Sequence, residues 1–359
     1  MTETPADPST WYEATRTDRT ERARLNFDLD VDVCVVGGGL AGLTAAREVA
    51  RRGWSVALIE SGRIGGGASG RSNGFVLPGF SEDMDTVVER IGLDHAKQLW
   101  ALSQGGVDYI RAAIRDLKMP DVEAGEGWLK VAKTDNAGAV RAKVERLRWI
   151  GAEVEFWDMA RVRQALSSAH YFSAMSFPGA FHINPLNYAL GLARAAEELG
   201  VRIFEDTPAI ELDPAGVRKR IRTPSGTVRA AHVVLAANVQ LGNLMPRLSA
   251  TLVPVTTYVI VTEPLGPLFD DVVSYRGAVS DGNRGANHFR ALEGGRLLWS
   301  SRITTKPVNP RRFARSLAAS VRTIFPQFRR SKSRICGRAR SAAPCTACRR
   351  SARFHAACG

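Results

Sequence analysis

The sequence predicts an α/β fold, α+β overall, built on a parallel sheet into which a mixed sheet is inserted. Three observations lead there. Residues Val31 to Val36 are an apolar run followed at once by a glycine turn and a helical pattern. A second strand, SVALIE, ends on Glu60. Alternating strands dominate residues 251–301, far from that first unit.

The first unit carries the chemistry. Gly37, Gly39 and Gly42 occupy the G-x-G-x-x-G positions. The first allows the tight turn, the second lets backbone approach a pyrophosphate, and the third lets helix and strand pack closely. A pyrophosphate would sit on the amides and positive dipole end of the helix. Ala46 and Gly53 extend the small-residue spacing, and Glu60, 23 residues after Gly37, is placed to accept from a ribose diol. The same carboxylate would repel a 2′-phosphate, so an unphosphorylated adenine dinucleotide is expected.

A second small-residue loop, RIGGGASGRSNGFVLPGF (Arg63 to Phe80), follows, with Ser69, Arg71, Ser72 and Asn73 as donors. Here the chain resembles the FAD-dependent oxidoreductases of the D-amino-acid oxidase superfamily. The likeness is to the gamma-glutamylputrescine oxidase and glycine or sarcosine oxidase branch, marked by a GGASGR(N/S)GG-like loop. The segments TWYEATRTDRTERARLNFDLDVDVC, HINPLNYALGLARAAEELGVRIFEDTPAIEL, VRAAHVVLAANVQLGNLMP and PVTTYVIVTEPL extend it over residues 10 to 330. The resemblance implies a Rossmann-like FAD-binding domain with an inserted mixed-sheet substrate domain. It adds Leu40, Ala41, Ser61, Arg63, Ala68, Gly74, Ala209, Ala237 and Asn238 to the residues expected near FAD.

The remaining elements follow in order. Residues 83–118 read as helical, GWLKVAKT as a strand, NAGAVRAKVERLRWIG as a surface helix, AEVEFWD as a short strand and MARVRQAL as a helix. The helix NPLNYALGLARAAEELG has Gly200 at its C-terminal cap. VRIFE is a parallel strand, and VRKRIRTPSGTVRAAHVVLAA a Ser-Gly hairpin. The expected organisation is an arm (1–30), FAD-binding segments (31–82 and 181–246), substrate-domain segments (83–180 and 247–328) and a basic, cysteine-rich tail (329–359).

At 45% hydrophobic and 24% charged, 359 residues can bury a large core divided between two domains. No apolar run approaches the roughly 18 residues needed to span a membrane. The N-terminus is polar and does not read as a secretory signal, so a cytoplasmic location is expected. The resemblance implies an amine or amino-acid substrate, oxidised at a C–N bond by hydride transfer to the flavin, with oxygen or a carrier as final acceptor. The imine product would then hydrolyse. For a substrate carboxylate the expected holders are Arg290 and Arg302 on predicted strands, with His288 alternating onto the face of Arg290. His182, before a helix start, reads as a structural hydrogen-bonding residue, and Tyr258 as core.

The tail departs from this pattern. From Arg329 to Gly359 it holds eight Arg, one Lys and no acid, which is +9 of the net +13. Cys336, Cys345, Cys348 and Cys358 fall there, and only Cys34 lies elsewhere. The CxxC lacks a second paired knuckle, so no metal site is expected. A basic nucleic-acid-binding tail would want more aromatics than Phe354, so no specific nucleic-acid partner is expected. The favoured reading is an altered reading frame: with suitable synonymous codons the neighbouring frame of residues 340–351 encodes LGRTVHRMPQI, resembling the family's GRTxxRMPxIG. An impaired enzyme is the reading that follows. A non-catalytic FAD-fold remnant and a nucleic-acid-associated protein remain as alternatives.

Overall fold

The computed structural model describes residues 10–120, 122–282, 285–305 and 310–330. The tail expectations, its frame, cysteines and arginines, lie outside the described residues. Strands in chain order are β1 (Leu29–Val36), β2 (Val56–Ile59), β3 (Phe75–Val76), β4 (Glu123–Ala132), β5 (Glu155–Trp157), β6 (Ser173–Ile183) and β7 (Arg202–Phe204). They continue with β8 (Glu211–Asp213), β9 (Lys219–Arg222), β10 (Thr227–Leu235), β11 (Thr256–Val261), β12 (Ala278–Ser280), β13 (His288–Leu292) and β14 (Arg296–Thr304). Helices used below are α1 (Trp11–Ala14), α2 (Leu40–Ala50), α3 (Met84–Ile91), α4 (Leu93–Asp116), α5 (Ala137–Trp149), α6 (Met159–Ala165) and α7 (Pro185–Glu198).

Two sheets form. The first runs β7-β2-β1-β10-β9-β8, with β7, β2, β1 and β10 mutually parallel and β9 and β8 antiparallel additions. Its parallel strands are apolar on both faces because both are covered. Val33, Val35 and Leu58 face Leu43 and Ala46 of α2 and Ala189, Leu192 and Ala193 of α7. Cys34, Val36, Ala57 and Ile59 pack on the opposite face with Phe204, Ile221 and Val228. Cys34 is fully buried, and burial pushes its thiol up to about 12.

Helix α7 starts where the sequence places it. Asn184 caps it, its side chain accepting from the amides of Leu186 and Asn187, and Pro185 occupies the first turn. Gly200 follows the helix at φ +84°, a left-handed conformation that suits glycine. The Ser-Gly hairpin also forms, as β9 and β10.

The second sheet runs β11-β14-β13-β12-β4-β6-β3, with β5 also on β6; β12 and β4 are parallel and the other pairs antiparallel. Strand β6 is absent from the sequence reading and crosses the expected boundary at residue 181. Pro178 and Gly179 interrupt its pattern, but β4 still pairs with it from Ser173 to Phe177 and again at Phe181–Ile183. One face of this sheet buries Leu129, Val131, Val279, Phe289 and Trp299 against Leu317, Val321 and Phe325. The alternate residues face the other way, toward the loop that follows β2.

Candidate active site

The glycine turn between β1 and α2 is shaped by its lack of side chains. A Cβ on Gly37 (φ +116°) would stand 2.7 Å from the Ala236 carbonyl oxygen, and one on Gly42 would stand 2.0 Å from the Gly37 oxygen. One on Gly39 would instead meet the Ser69 hydroxyl at 2.8 Å. Gly37 and Gly42 therefore close the turn onto the fold, whereas Gly39 fronts a cavity. The N-cap of α2 is Gly39, which has no side chain to cap the helix, and Leu40 N–H donates to Ser69 Oγ at 3.1 Å.

That cavity, of about 480 Å3, is lined by Gly37 to Gly39, Ala41, Glu60, Ser61, Ala68, Ser69, Ala209, Ala237 and Asn238 of the expected residues and their neighbours. Gln240, Leu241 and Leu244 also line it and were not singled out from the sequence. Asn238 holds a left-handed backbone, φ +52°, where the chain leaves β10. Glu60 has a role beyond the expected ribose contact. Its Oε2 accepts from Gly38 N–H at 2.6 Å, and its Oε1 accepts from Gly62 N–H at 2.8 Å and the Ser61 hydroxyl at 3.1 Å. Each carboxylate oxygen retains further acceptor capacity, so the same group can tie the turn and meet a ribose.

Arg63 does not line the cavity. It pairs with Glu205 at 2.9 Å and Asp206 at 3.6 Å. Glu205, buried and missed by sequence reasoning, also accepts from Ile64 N–H at 2.8 Å, so it fixes the loop after β2. Arg71 lies in the short 3-10 turn Ser69–Arg71. Leu40 faces a separate apolar groove with Gly74 and Val76. An adenine dinucleotide fits this ground: a helix start with a glycine cap, a side-chain-free approach at Gly39, and an acid at the end of β2.

Just past Ser69, Ser72 and Asn73 line a second cavity, of about 920 Å3, against the free face of the second sheet. Asn73 Nδ2 donates to Ser300 Oγ on β14 at 2.8 Å, so the loop is fastened to that sheet. Across the sheet, Met175, Lys130, Ser280, His288 and Ser300 occupy one cross-strand row on β6, β4, β12, β13 and β14. Ser280 joins its neighbours, accepting from Trp128 Nε1 at 2.9 Å and meeting His288 Nδ1 at 2.9 Å. Trp128 stacks on Phe177 with centroids 4.8 Å apart, forming an apolar patch beside the row. Burial lowers the pKa of His288, which keeps the ring neutral, and burial together with nearby Lys143 lowers that of Lys130. Lys143 itself is paired with Asp83.

The arginines expected at the substrate lie elsewhere. Arg290 shares the alternation of His288 but is buried. Its Nη1 donates to His182 Nδ1 at 2.5 Å, and its Nη2 donates to Tyr12 Oη and the Ile183 carbonyl, each at 3.0 Å. It borders a different cavity, beside Trp11 and Tyr12 of α1. By the β12–β13 register Arg290 stands opposite Ala278, a small buried residue at the start of β12, and its guanidinium passes there to reach His182 and Ile183 on β6. Arg302 is exposed near the end of β14 at φ +67°. His288 alone of these three lines the cavity at the loop. Tyr258 is core, stacked on Phe313. Among the described residues no helix is long and apolar enough to cross a membrane.

Comparison with known proteins agrees with this arrangement. A family profile for FAD dependent oxidoreductases matches residues 32–359. The chain is 32% identical over 278 residues to a probable oxidoreductase OrdL of Haemophilus influenzae, covering 75% of this chain and 64% of that protein. It is 31% identical over 328 residues to gamma-glutamylputrescine oxidoreductase of Escherichia coli, covering 89% and 76%. In fold it resembles glycine oxidase from Geobacillus kaustophilus, with TM-score 0.71 at 21% identity over 88% of this chain and 83% of that one. L-amino acid deaminase from Proteus vulgaris gives TM-score 0.69 at 22% identity over 93% and 83%. With a profile match over most of its length, a fitting dinucleotide cavity and these relatives, the chain belongs to the FAD dependent oxidoreductase family.

Proposed function

We propose that this chain oxidises a C–N bond of an amine or amino acid with FAD. The observation that carries the reading is the continuity of the loop after β2: Ser69 faces the dinucleotide cavity while Ser72 and Asn73 face the cavity on the second sheet. When bound, FAD would supply the two-electron acceptor, with oxygen or a carrier as the final acceptor. The helix start at Gly39 and Leu40 would hold its pyrophosphate, and Glu60 its ribose. The protein's remaining task is to orient the amine and keep water from it. Trp128, Phe177 and Met175 supply apolar wall for that, and the neutral His288 ring adds no charge.

The names of the relatives support this substrate class, gamma-glutamylputrescine oxidoreductase in sequence and glycine oxidase in fold. For residues 329–359 we retain the altered-frame reading, which sequencing of the gene across those codons tests. The experiment for the activity is to purify the full chain with FAD and add amines without oxygen. Bleaching of the flavin absorbance by at least one amine is the expected result. A protein that binds FAD fully and is reduced by no amine or amino acid, in either reading frame of the tail, overturns the proposal.

A further inference from the structure

The hydrogen bonds around Ser280 fix which nitrogen of His288 carries the proton. Ser280 is buried, and its Oγ meets Trp128 Nε1 and His288 Nδ1, each at 2.9 Å. An indole N–H only donates, so Ser280 accepts from Trp128. The hydroxyl hydrogen then finds one acceptor among the described residues, the lone pair of His288 Nδ1. An N–H on Nδ1 would instead leave that buried hydroxyl hydrogen without an acceptor, a costly arrangement. The neutral ring therefore holds its proton on Nε2. That nitrogen has no partner among the described residues, and His288 lines the cavity on the second sheet.

The charged residues around the same cavity are already engaged. Asp83 pairs with Lys143, Glu82 with Arg90 at 3.8 Å, and Lys130 also has a partner within the protein. A carboxylate would arrive beside Glu82 and Asp83 with no unpaired cation among the described lining residues to meet it. An uncharged acceptor meets an N–H donor without that cost.

We propose that His288 is a specificity-determining residue, its Nε2–H donating to an uncharged carbonyl oxygen, as in an amide, carried by the substrate. The substrate class is then an amine with such an acceptor along its chain rather than a plain alkylamine. This rests on the reading above that the cavity takes an amine. Ser280 is a positioning residue, holding the ring and its tautomer with the help of Trp128. With its proton in place, Nε2 cannot take the proton of the amine, so His288 binds and does not act as a base.

The neighbouring parts suit an elongated ligand. Trp128 over Phe177 offers a flat apolar surface for methylenes between acceptor and amine. Ser300 is the register partner of His288, and Asn73 is fastened to Ser300. A ligand held at His288 thus lies beside the loop that reaches the dinucleotide cavity.

The test has two arms, both on the full chain loaded with FAD. Nitrogen NMR of the imidazole rings reads the tautomer without ligand, with His288→Gln identifying the signals. The Nε2–H form is expected, and Ser280→Ala should convert it to a mixture. A bare Nε2 in the unmodified chain overturns the proposal, and an unchanged tautomer in Ser280→Ala overturns the role of Ser280.

For binding, calorimetry compares N-acetylputrescine, which carries an amide, with n-heptylamine, its equal in chain length without one. The ratio of their dissociation constants is compared between variants, which cancels the greater hydrophobicity of the alkylamine. His288→Phe should shift that ratio against the amide about fivefold, the scale of one hydrogen bond. His288→Gln, which keeps an N–H donor, should restore most of it. A ratio within about twofold of the original in His288→Phe overturns the assignment. Should that variant fail to fold, the same criterion is applied to His288→Leu.

The two proposals fail separately. Bleaching by amines with a ratio insensitive to His288 refutes the acceptor site and leaves the activity standing. A His288-dependent ratio without bleaching by any amine or amino acid does the reverse.

Discussion

Arg290 donates to His182 Nδ1, while His182 Nε2 lies 2.8 Å from the Arg276 carbonyl oxygen. A carbonyl only accepts, so the proton is on Nε2 and Nδ1 is the bare nitrogen that takes the guanidinium N–H. A buried arginine and a neutral histidine thereby knit β13 to β6 and, through Tyr12, to the N-terminal arm.

This pairing sets an acid limit on stability. Burial and the Arg290 charge lower the His182 pKa to about 3, from 6.5 unperturbed. The unfolded chain binds the extra proton below about pH 6.5, so stability is full above that value. It is lost progressively as pH falls toward 3. Up to about 3–5 kcal/mol is at stake over that window, by the conversion of pKa shift to free energy. Urea unfolding from pH 7 to 4 should show this slope, and His182→Gln, which cannot titrate, should flatten it by one proton. An unchanged slope would refute the neutral assignment.

Gly39→Ala and Gly42→Ala should fail differently. At Gly42 the added methyl meets the Gly37 backbone 2.0 Å away, so soluble folded protein should fall sharply. At Gly39 it meets only the Ser69 hydroxyl at 2.8 Å, at the mouth of the cavity. That variant should keep its thermal transition and lose most bound flavin, read as absorbance per chain. Equal losses of fold in both variants would contradict the division of labour.

Glu60→Gln isolates the carboxylate. The side-chain amide has one acceptor oxygen, so Gly38 N–H and Gly62 N–H can no longer both be satisfied by separate oxygens. FAD affinity should drop about 10–100-fold, the equivalent of about 1.5–3 kcal/mol for charge-assisted bonds. Equilibrium dialysis of flavin gives the number, and an affinity within twofold of the original would remove Glu60 from the site.

Asn73→Ala should loosen the loop from the second sheet. One neutral side-chain hydrogen bond contributes about 1 kcal/mol, so global stability should change little. Amide exchange in residues 72–76 should nevertheless quicken, and substrate KM should rise more than kcat falls. Unaltered exchange there would mean that the Ser300 contact does not restrain the loop.

The two halves of the site differed in legibility for a physical reason. Gly37, Gly39, Gly42 and Glu60 act through local backbone, within one strand-turn-helix-strand unit, so spacing alone marks them. Lys130, Ser280, His288 and Ser300 meet only through strand register, across four strands brought together from distant parts of the chain. Alternation placed His288 and Arg290 on one face correctly, but it could not show that Arg290 stands opposite the small Ala278 and reaches past it to His182 on β6. Glu205 was hidden likewise, because a buried acid that accepts from Ile64 N–H has no signature in its own segment.

Cys34 bears on how the protein would tolerate its own chemistry. Flavoenzymes that use oxygen release peroxide beside the cofactor, and peroxide attacks thiolates rather than thiols. With its ionisation displaced to about 12 and its sulfur buried beside Val36, Ala57, Ile59 and Phe204 on one face of the sheet, Cys34 stays protonated at any physiological pH. The strand that leads into the FAD turn thus carries sulfur in its least oxidisable setting. Among the described residues it is the only thiol, and it is buried.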